Sequence, residues 1–175
     1  MERHHLVLGG ARSGKSGYAE RLLRATGTRW AYVATAEAGD AEMAARIARH
    51  RADRGAGWET REAPLAVGGA LRDLGAVDGV LIDCLTLWLS NLMAAGQDPE
   101  AAWDDLRPTL ERLNCPAVLV SNEVGLSIVP ENALARAFRD AQGRLNQSIA
   151  ATVGHVTFVA AGLPLPLKSQ GKART

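Results

Sequence analysis

Cysteine is scarce in this sequence, with only Cys84 and Cys115 among 175 residues. Neither belongs to a C-x-x-C pair or stands near metal-ligand partners, so both read as reduced core thiols of a cytosolic protein. An excess of charge of either sign is also missing. Twenty Lys and Arg stand against 19 Asp and Glu, for a net charge of +1. That balance gives no support for a nucleic-acid or membrane-binding surface, although it leaves room for local clusters. Long hydrophobic runs are lacking too. The most apolar segments are interrupted by Asp83, or by His155, Pro164 and Pro166, so no segment spans a bilayer. The start, MERHHLVLGGARSGKS, has too short an apolar stretch and no cleavage-like site for a signal peptide. Together these absences point to the cytoplasm. No internal repeat, long linker or low-complexity block interrupts the chain.

What remains is an ordinary globular composition, 47% hydrophobic and 22% charged, with length for one sizeable core. The expectation is one domain over 1–168 and a polar, frayed tail over 169–175. HHLVLG reads as a buried strand running into a glycine-rich turn, and KSGYAERLLRAT as a helix stopped by Gly27. RWAYVAT is a second strand. A helical pattern from Asp40 to Arg54 places Met43 and Ile47 on one stripe, and GWETRE alternates as a short strand. LAVGGALRDL follows as a helix, GVLID as a strand ending on a carboxylate, and LTLWLSNLMAA as an apolar helix. AAWDDLRPTLERL is a more exposed helix that Pro108 is placed to kink or split. PAVLVSNE is a strand. Leu134, Phe138, Leu145 and Ile149 mark one face of a long helix after Pro130, and HVTFVAAG is the last strand. Apolar strands alternating with helices predict a doubly wound α/β domain with a parallel sheet covered on both faces. Ligands of such sheets bind beyond the carboxyl ends of the strands.

The chemistry-bearing residues fall at those ends. Gly9, Gly10, Ala11, Arg12, Ser13, Gly14, Lys15 and Ser16 fit G-x-x-x-x-G-K-[ST] between a strand and a helix, the context a phosphate-binding loop needs. Glycines let backbone N–H groups curl toward phosphate oxygens, and the helix N-terminus adds positive potential. Lys15 reaches the β- and γ-phosphates, and Ser16 holds Mg²⁺ through its hydroxyl. Asp83 ends an apolar strand in a Walker B layout, with a metal-holding role set against simple capping of the next helix. Asn122 and Glu123 suit either orientation of a water, metal or acceptor hydroxyl, or turn chemistry.

One stretch, ARIARHRADRGAGWETRE, poses a separate question. On a helix Arg46, His50 and Arg54 share a face. Three cationic positions in a row repel unless an anion is present. Neighbouring positive charge favours the neutral, nucleophilic imidazole. Three readings follow from spacing alone: a histidine that takes a phosphoryl or nucleotidyl group, a phosphate-positioning cluster, or a solvated helix face.

Several stretches together resemble the bifunctional adenosylcobinamide kinase / adenosylcobinamide-phosphate guanylyltransferase family of cobalamin biosynthesis. They are GGARSGKS, YVATAE, EMAARIARHRADRGAGWETRE, DCLTLWLSNL, SNEVGLSIVPENALARAFRDAQGRLNQSIA and AGLPLPLK, in order along nearly the whole chain. The resemblance implies a RecA-like P-loop NTPase fold, a three-layer α/β/α sandwich on a mostly parallel sheet. It implies that His50 attacks the α-phosphate of GTP and carries GMP, which the phosphate of adenosylcobinamide phosphate then takes to give adenosylcobinamide-GDP. It implies a kinase step in which ATP or GTP phosphorylates adenosylcobinamide, supported by Lys15, Ser16, Asp83 and Mg²⁺. Ala34, Thr35, Ala36, Arg51, Ala52, Asp53, Arg54 and Glu62 match positions around the guanine nucleotide, where Glu62 suits the N1–H and 2-amino donors of the base. A homotrimer is implied as well. Two positions depart from the family pattern: Gly55 stands where proline is usual, and Ser127 where glycine is usual. Two other readings explain the phosphate loop: a P-loop kinase of another small molecule, or a non-enzymatic RecA-like nucleotide switch. Neither accounts for the His50 face together with the long C-terminal signature.

Overall fold

The computed structural model describes residues 1–36 and 55–169, together with the short strand 172–173. The predicted helix over 40–54, with Met43 and Ile47, lies outside the described residues. Among those described, the chain forms β1 (His5–Gly9), α1 (Lys15–Arg24), β2 (Trp30–Ala34), β3 (Trp58–Glu62), α2 (Val67–Arg72), β4 (Gly79–Asp83) and α3 (Leu85–Ala94). Then follow α4 (Pro99–Arg112), β5 (Ala117–Asn122), α5 (Ala133–Thr152), β6 (His155–Ala160), β7 (Leu163–Ser169) and β8 (Lys172–Ala173).

The strands form one eight-stranded sheet in the order β3-β2-β4-β5-β1-β6-β7-β8. Pairing is parallel from β3 through β6 and antiparallel for β7 and β8. The central strands are apolar on both faces because both are covered. On one face Val7, Trp30, Tyr32, Leu81, Val118 and Val120 pack with Ala19 and Leu23 of α1. On the other, Leu6, Val33, Val80, Ile82 and Leu119 pack under residues of α2, α3, α4 and α5. This is the three-layer α/β/α arrangement expected.

Local details differ from the pattern reading in instructive ways. Helix α1 ends at Arg24 with Ala25 as its C-cap, short of Gly27. Gly27 is required for another reason: a Cβ there would meet the Asp78 side chain at 2.4 Å. That carboxylate accepts the amides of Thr28 and Arg29 at 2.8 and 2.9 Å and ties the α1–β2 turn to the start of β4. Helix α4 runs unbroken through Pro108, held by burial of Trp103, Leu106 and Leu110. Leu134 does not belong to the buried stripe of α5. It is 69% exposed, while Leu145 and Ile149 are buried. The first turn of α5 and its preceding loop, with exposed Leu126 and Ile128, leave it uncovered.

HVTFVAAG is not the last strand, because two more follow it. β7 runs to Ser169, one residue into the expected tail, and Lys172–Ala173 pair with it. Its alternating Pro164 and Pro166 hide the strand from a propensity reading. A strand tolerates such spacing when the missing N–H groups all face one side, away from its main partner.

Candidate active site

Parallel register brings the functional ends of five strands to one edge. Ala34 of β2 lies opposite both Glu62 of β3 and Asp83 of β4, and Gly9 of β1 lies opposite Asn122 of β5. Here the sheet order reverses around β1, the crevice in which open α/β sheets bind ligands.

The phosphate loop fills the crevice. β1 ends at Gly9 and α1 begins at Lys15, so the loop leads straight into a helix N-terminus. Gly9 admits no side chain, because a Cβ would meet Ser13 Oγ and the Val159 carbonyl at 2.5 Å. Arg12 and Gly14 take positive φ, 55° and 92°, which curls the loop. Ser13 N donates to Gly10 O at 3.3 Å, and Lys15 Nζ folds over the loop to Gly10 O at 3.1 Å. Two neighbours buttress it: Glu123 N donates to Gly9 O at 3.2 Å, and Gly162 N to Ser13 O at 2.8 Å. Ser13 Oγ is buried without a hydrogen-bond partner, a donor in reserve inside the loop.

Asp83 does not cap α3. Its N-cap position is Cys84, and no side chain caps it. The carboxylate turns toward the phosphate loop instead. Asp83 Oδ1 accepts from Ser16 Oγ at 3.5 Å and Oδ2 from Tyr32 Oη at 2.5 Å. The hydroxyl and the carboxylate form an all-oxygen donor pair of the kind a hard divalent cation takes alongside phosphate and water. The next residue is strained: Cys84 has φ 141°. Thr35, fully buried, holds that junction, its Oγ1 donating to Asp83 O at 3.1 Å and Cys84 O at 2.8 Å. Asn91 Nδ2 ties Thr35 O to α3 at 2.8 Å. Cys84 is thus a neighbour of the site rather than a deep core thiol, and burial pushes its pKa up.

Of the two roles open for Glu123, the structure shows turn chemistry, since Gly125 N donates to its Oε1 at 2.7 Å. Asn122 Nδ2 lies 3.9 Å from Cys84 Sγ, and its amide donates to Thr86 Oγ1 at 2.9 Å. Behind it, Ser121, Gln142 and Asn146 make a buried polar network. Asn146 Oδ1 accepts from Ser121 Oγ at 2.7 Å and Gln142 Nε2 at 3.1 Å, while Asn146 Nδ2 donates to Asn122 O at 3.1 Å.

Gly9 to Ser16, Ala34 to Ala36, Glu62 and Asp83 therefore share one edge. His50, Arg51, Ala52, Asp53 and Arg54 lie outside the described residues. Tyr32, Asn91, Thr86 and Gly162 were missed by sequence reasoning. Only Tyr32 left a legible signal, a polar aromatic two residues before Ala34 in a strand otherwise apolar. A cavity of about 450 Å³ between α2, α3 and α4, lined by Leu65, Arg72, Trp88 and Asp105, includes none of the predicted site residues. No helix among the described residues is long and apolar enough to cross a membrane.

A family model described as cobinamide kinase / cobinamide phosphate guanyltransferase matches residues 5–167. The chain belongs to this family. It is 50% identical to the bifunctional adenosylcobalamin biosynthesis protein CobP of Pseudomonas aeruginosa, over 94% of this chain and 97% of that protein. It is 41% identical to CobU of Salmonella typhimurium, over 93% of this chain and 98% of the relative. Membership makes it a phosphotransferase and nucleotidyltransferase of cobalamin biosynthesis. In fold it is similar to a KaiC-like protein of Pyrococcus horikoshii, with a TM-score of 0.60, 15% identity, and coverage of 99% of this chain and 81% of that one. An ATPase of a type III secretion system matches with a TM-score of 0.51, 11% identity, and coverage of 95% and 57%. These likenesses establish the RecA-like P-loop fold of a family member.

Proposed function

We propose that the crevice runs both halves of the family's chemistry on one catalytic domain spanning residues 1–168. The observation that carries the kinase half is the Asp83 carboxylate turned onto Ser16 at the mouth of the phosphate loop. Loop amides from Gly10 to Ser16 and the N-terminus of α1 cradle the triphosphate of ATP or GTP. Lys15 leaves Gly10 O for the β- and γ-phosphates as charge builds there. Ser16 and Asp83 hold Mg²⁺, which neutralises phosphate charge and aligns the transferred group. The aminopropanol hydroxyl of adenosylcobinamide accepts the γ-phosphate.

In the guanylyl half, His50 attacks the α-phosphorus of GTP. The N–P bond forms, the bond to pyrophosphate breaks, and GMP stays on His50 as a phosphoramidate. A phosphate oxygen of adenosylcobinamide phosphate then displaces the imidazole, giving adenosylcobinamide-GDP. Arg51 and Arg54 counter the phosphate charge with Ala52 and Asp53 beside them, Glu62 accepts from guanine, and Ala34, Thr35 and Ala36 form the wall next to it. A corrinoid and a nucleotide as substrates fit the cytoplasm, and the family resemblance supports a homotrimer.

The test uses GTP labelled in the α-phosphate. The protein is incubated with it and Mg²⁺, denatured, and compared with His50→Ala. Acid-labile, alkali-stable label that vanishes in the variant is the expected result. A folded, GTP-binding wild type without label removes the nucleophile role from His50 and leaves a P-loop kinase.

A further inference from the structure

Tyr32 stands two residues before Ala34, which lies opposite Asp83 across the β2–β4 ladder. Side chains two apart on a strand share a face, so Tyr32 occupies the diagonal position next to Asp83. That face is the one covered by α1, whose first turn carries Ser16. The phenol reaches one carboxylate oxygen, Oδ2, at 2.5 Å, and Ser16 Oγ faces the other, Oδ1, at 3.5 Å. The two oxygens thus have separate partners. A hydroxyl bond this short to a carboxylate is in the strong, charge-assisted class. The ring itself is fixed: Tyr32 is only 7% exposed and meets Trp58 edge-on at 6.4 Å.

We infer that Tyr32 is a positioning residue for the nucleotide's divalent cation. It holds Asp83 Oδ2 so that Oδ1 stays presented to Ser16. This rests on the reading of Ser16 and Asp83 as the cation's protein ligands. Groups that orient a ligating carboxylate tune affinity without touching the metal, and losing one costs about ten- to a hundredfold in binding. Without the phenol, Asp83 is free to turn about its side-chain torsions, and the cation must order it on arrival.

The experiment titrates Mn²⁺ into the nucleotide-bound protein by electron paramagnetic resonance, in wild type, Tyr32→Phe, Asp83→Asn and the double variant. Phenylalanine keeps the ring in its packing and removes only the hydroxyl. The expected result is a Mn²⁺ Kd raised about tenfold in Tyr32→Phe, with no further rise when it is added to Asp83→Asn. A melting curve of the nucleotide-free variant separates this from a folding defect, since loss of one buried hydroxyl bond lowers Tm by about 2–4 °C in a chain of this size. An unchanged Kd in Tyr32→Phe, beside a wild type that Asp83→Asn weakens, overturns the positioning role alone. So does an equal effect in the Asp83→Asn background. A wild type whose Mn²⁺ binding ignores Asp83→Asn overturns the ligand assignment and the positioning role with it.

Discussion

Gly162 donates its amide to the Ser13 carbonyl at 2.8 Å, so the turn between β6 and β7 braces the phosphate loop from outside. The two backbones touch closely. A Cβ on Gly14 would stand 3.2 Å from Gly162 Cα, whereas one on Gly162 would meet nothing within 4 Å. Both glycines have positive φ, 92° and 79°.

Alanine at these two positions should therefore differ in effect. Gly162→Ala incurs only the backbone strain, about 1 kcal/mol. Gly14→Ala adds a contact that the loop must yield to. Calorimetric titration with GTP should show the larger loss of affinity for Gly14→Ala, while urea unfolding shows a modest loss of stability for both.

Thr35→Val removes the hydroxyl that holds the carbonyls of Asp83 and Cys84, while Thr35→Ser keeps it. Asp83 O keeps the Thr35 amide at 3.2 Å and Cys84 O those of Leu87 and Trp88 at 3.0 and 3.1 Å, so loss of the hydroxyl's bonds at this strained junction costs about 1 kcal/mol. Denaturant midpoints should fall for valine and hold for serine. A valine variant that melts like wild type but binds GTP poorly would instead make the hydroxyl a nucleotide contact.

In the network behind β5, Asn146 makes three side-chain bonds and Ser121 two, the second from Gln142 Nε2 at 3.0 Å. Asn146→Ala removes three bonds at once, to Ser121, Gln142 and Asn122 O, and although Gln142 Nε2 still donates to Ser121 Oγ at 3.0 Å it should cost about 2–4 kcal/mol. Ser121→Ala leaves Gln142 bonded to Asn146 and should cost about 1 kcal/mol. Equal losses in urea unfolding would remove Asn146 from the centre.

Acid should destabilise the fold through His4. Its Nε2 lies 3.0 Å from Leu110 O, its Nδ1 accepts Ala117 N at 3.0 Å, and burial lowers its pKa to about 4. The unfolded histidine takes its proton near pH 6.5, so the unfolded state gains protons first. Stability is therefore full above about pH 6.5, falls as the pH drops toward 4, and levels off below, by a total on the order of 3 kcal/mol. His5, also held near 4 by burial and by His155, adds in the same direction. His4→Leu should be less stable at pH 7.5 yet show a shallower slope in urea midpoints between pH 7 and 5.

Much of this was legible in the sequence because it depends on local chemistry. Gly9, Gly14 and Lys15 announce a loop by spacing alone, and VLID announces a strand that ends on Asp83. What stayed hidden depends on pairing across the chain. Nothing near Gly162 in sequence shows that it will brace Ser13. Asn91 looks like one polar residue on an apolar helix until the fold places it under Thr35. β7 was hidden by Pro164 and Pro166, whose propensities argue against the strand that β6 imposes. Leu134 kept the period of a buried face, yet it stands exposed in the first turn of α5. The His50 stretch was legible as a charge pattern, and its family resemblance made it a nucleophile candidate.

The ladder that sets Ala34 opposite Asp83 ties this chemistry to counting. Strand side chains alternate, so one residue inserted in β2 between Val33 and Ala34 would exchange odd for even. The phenol would point into the helices of the far layer, and a valine would face the carboxylate. A change of length inside the strands of this crevice thus breaks the site. Substitution leaves that count intact, and any lineage that keeps the site must conserve the parity of β2.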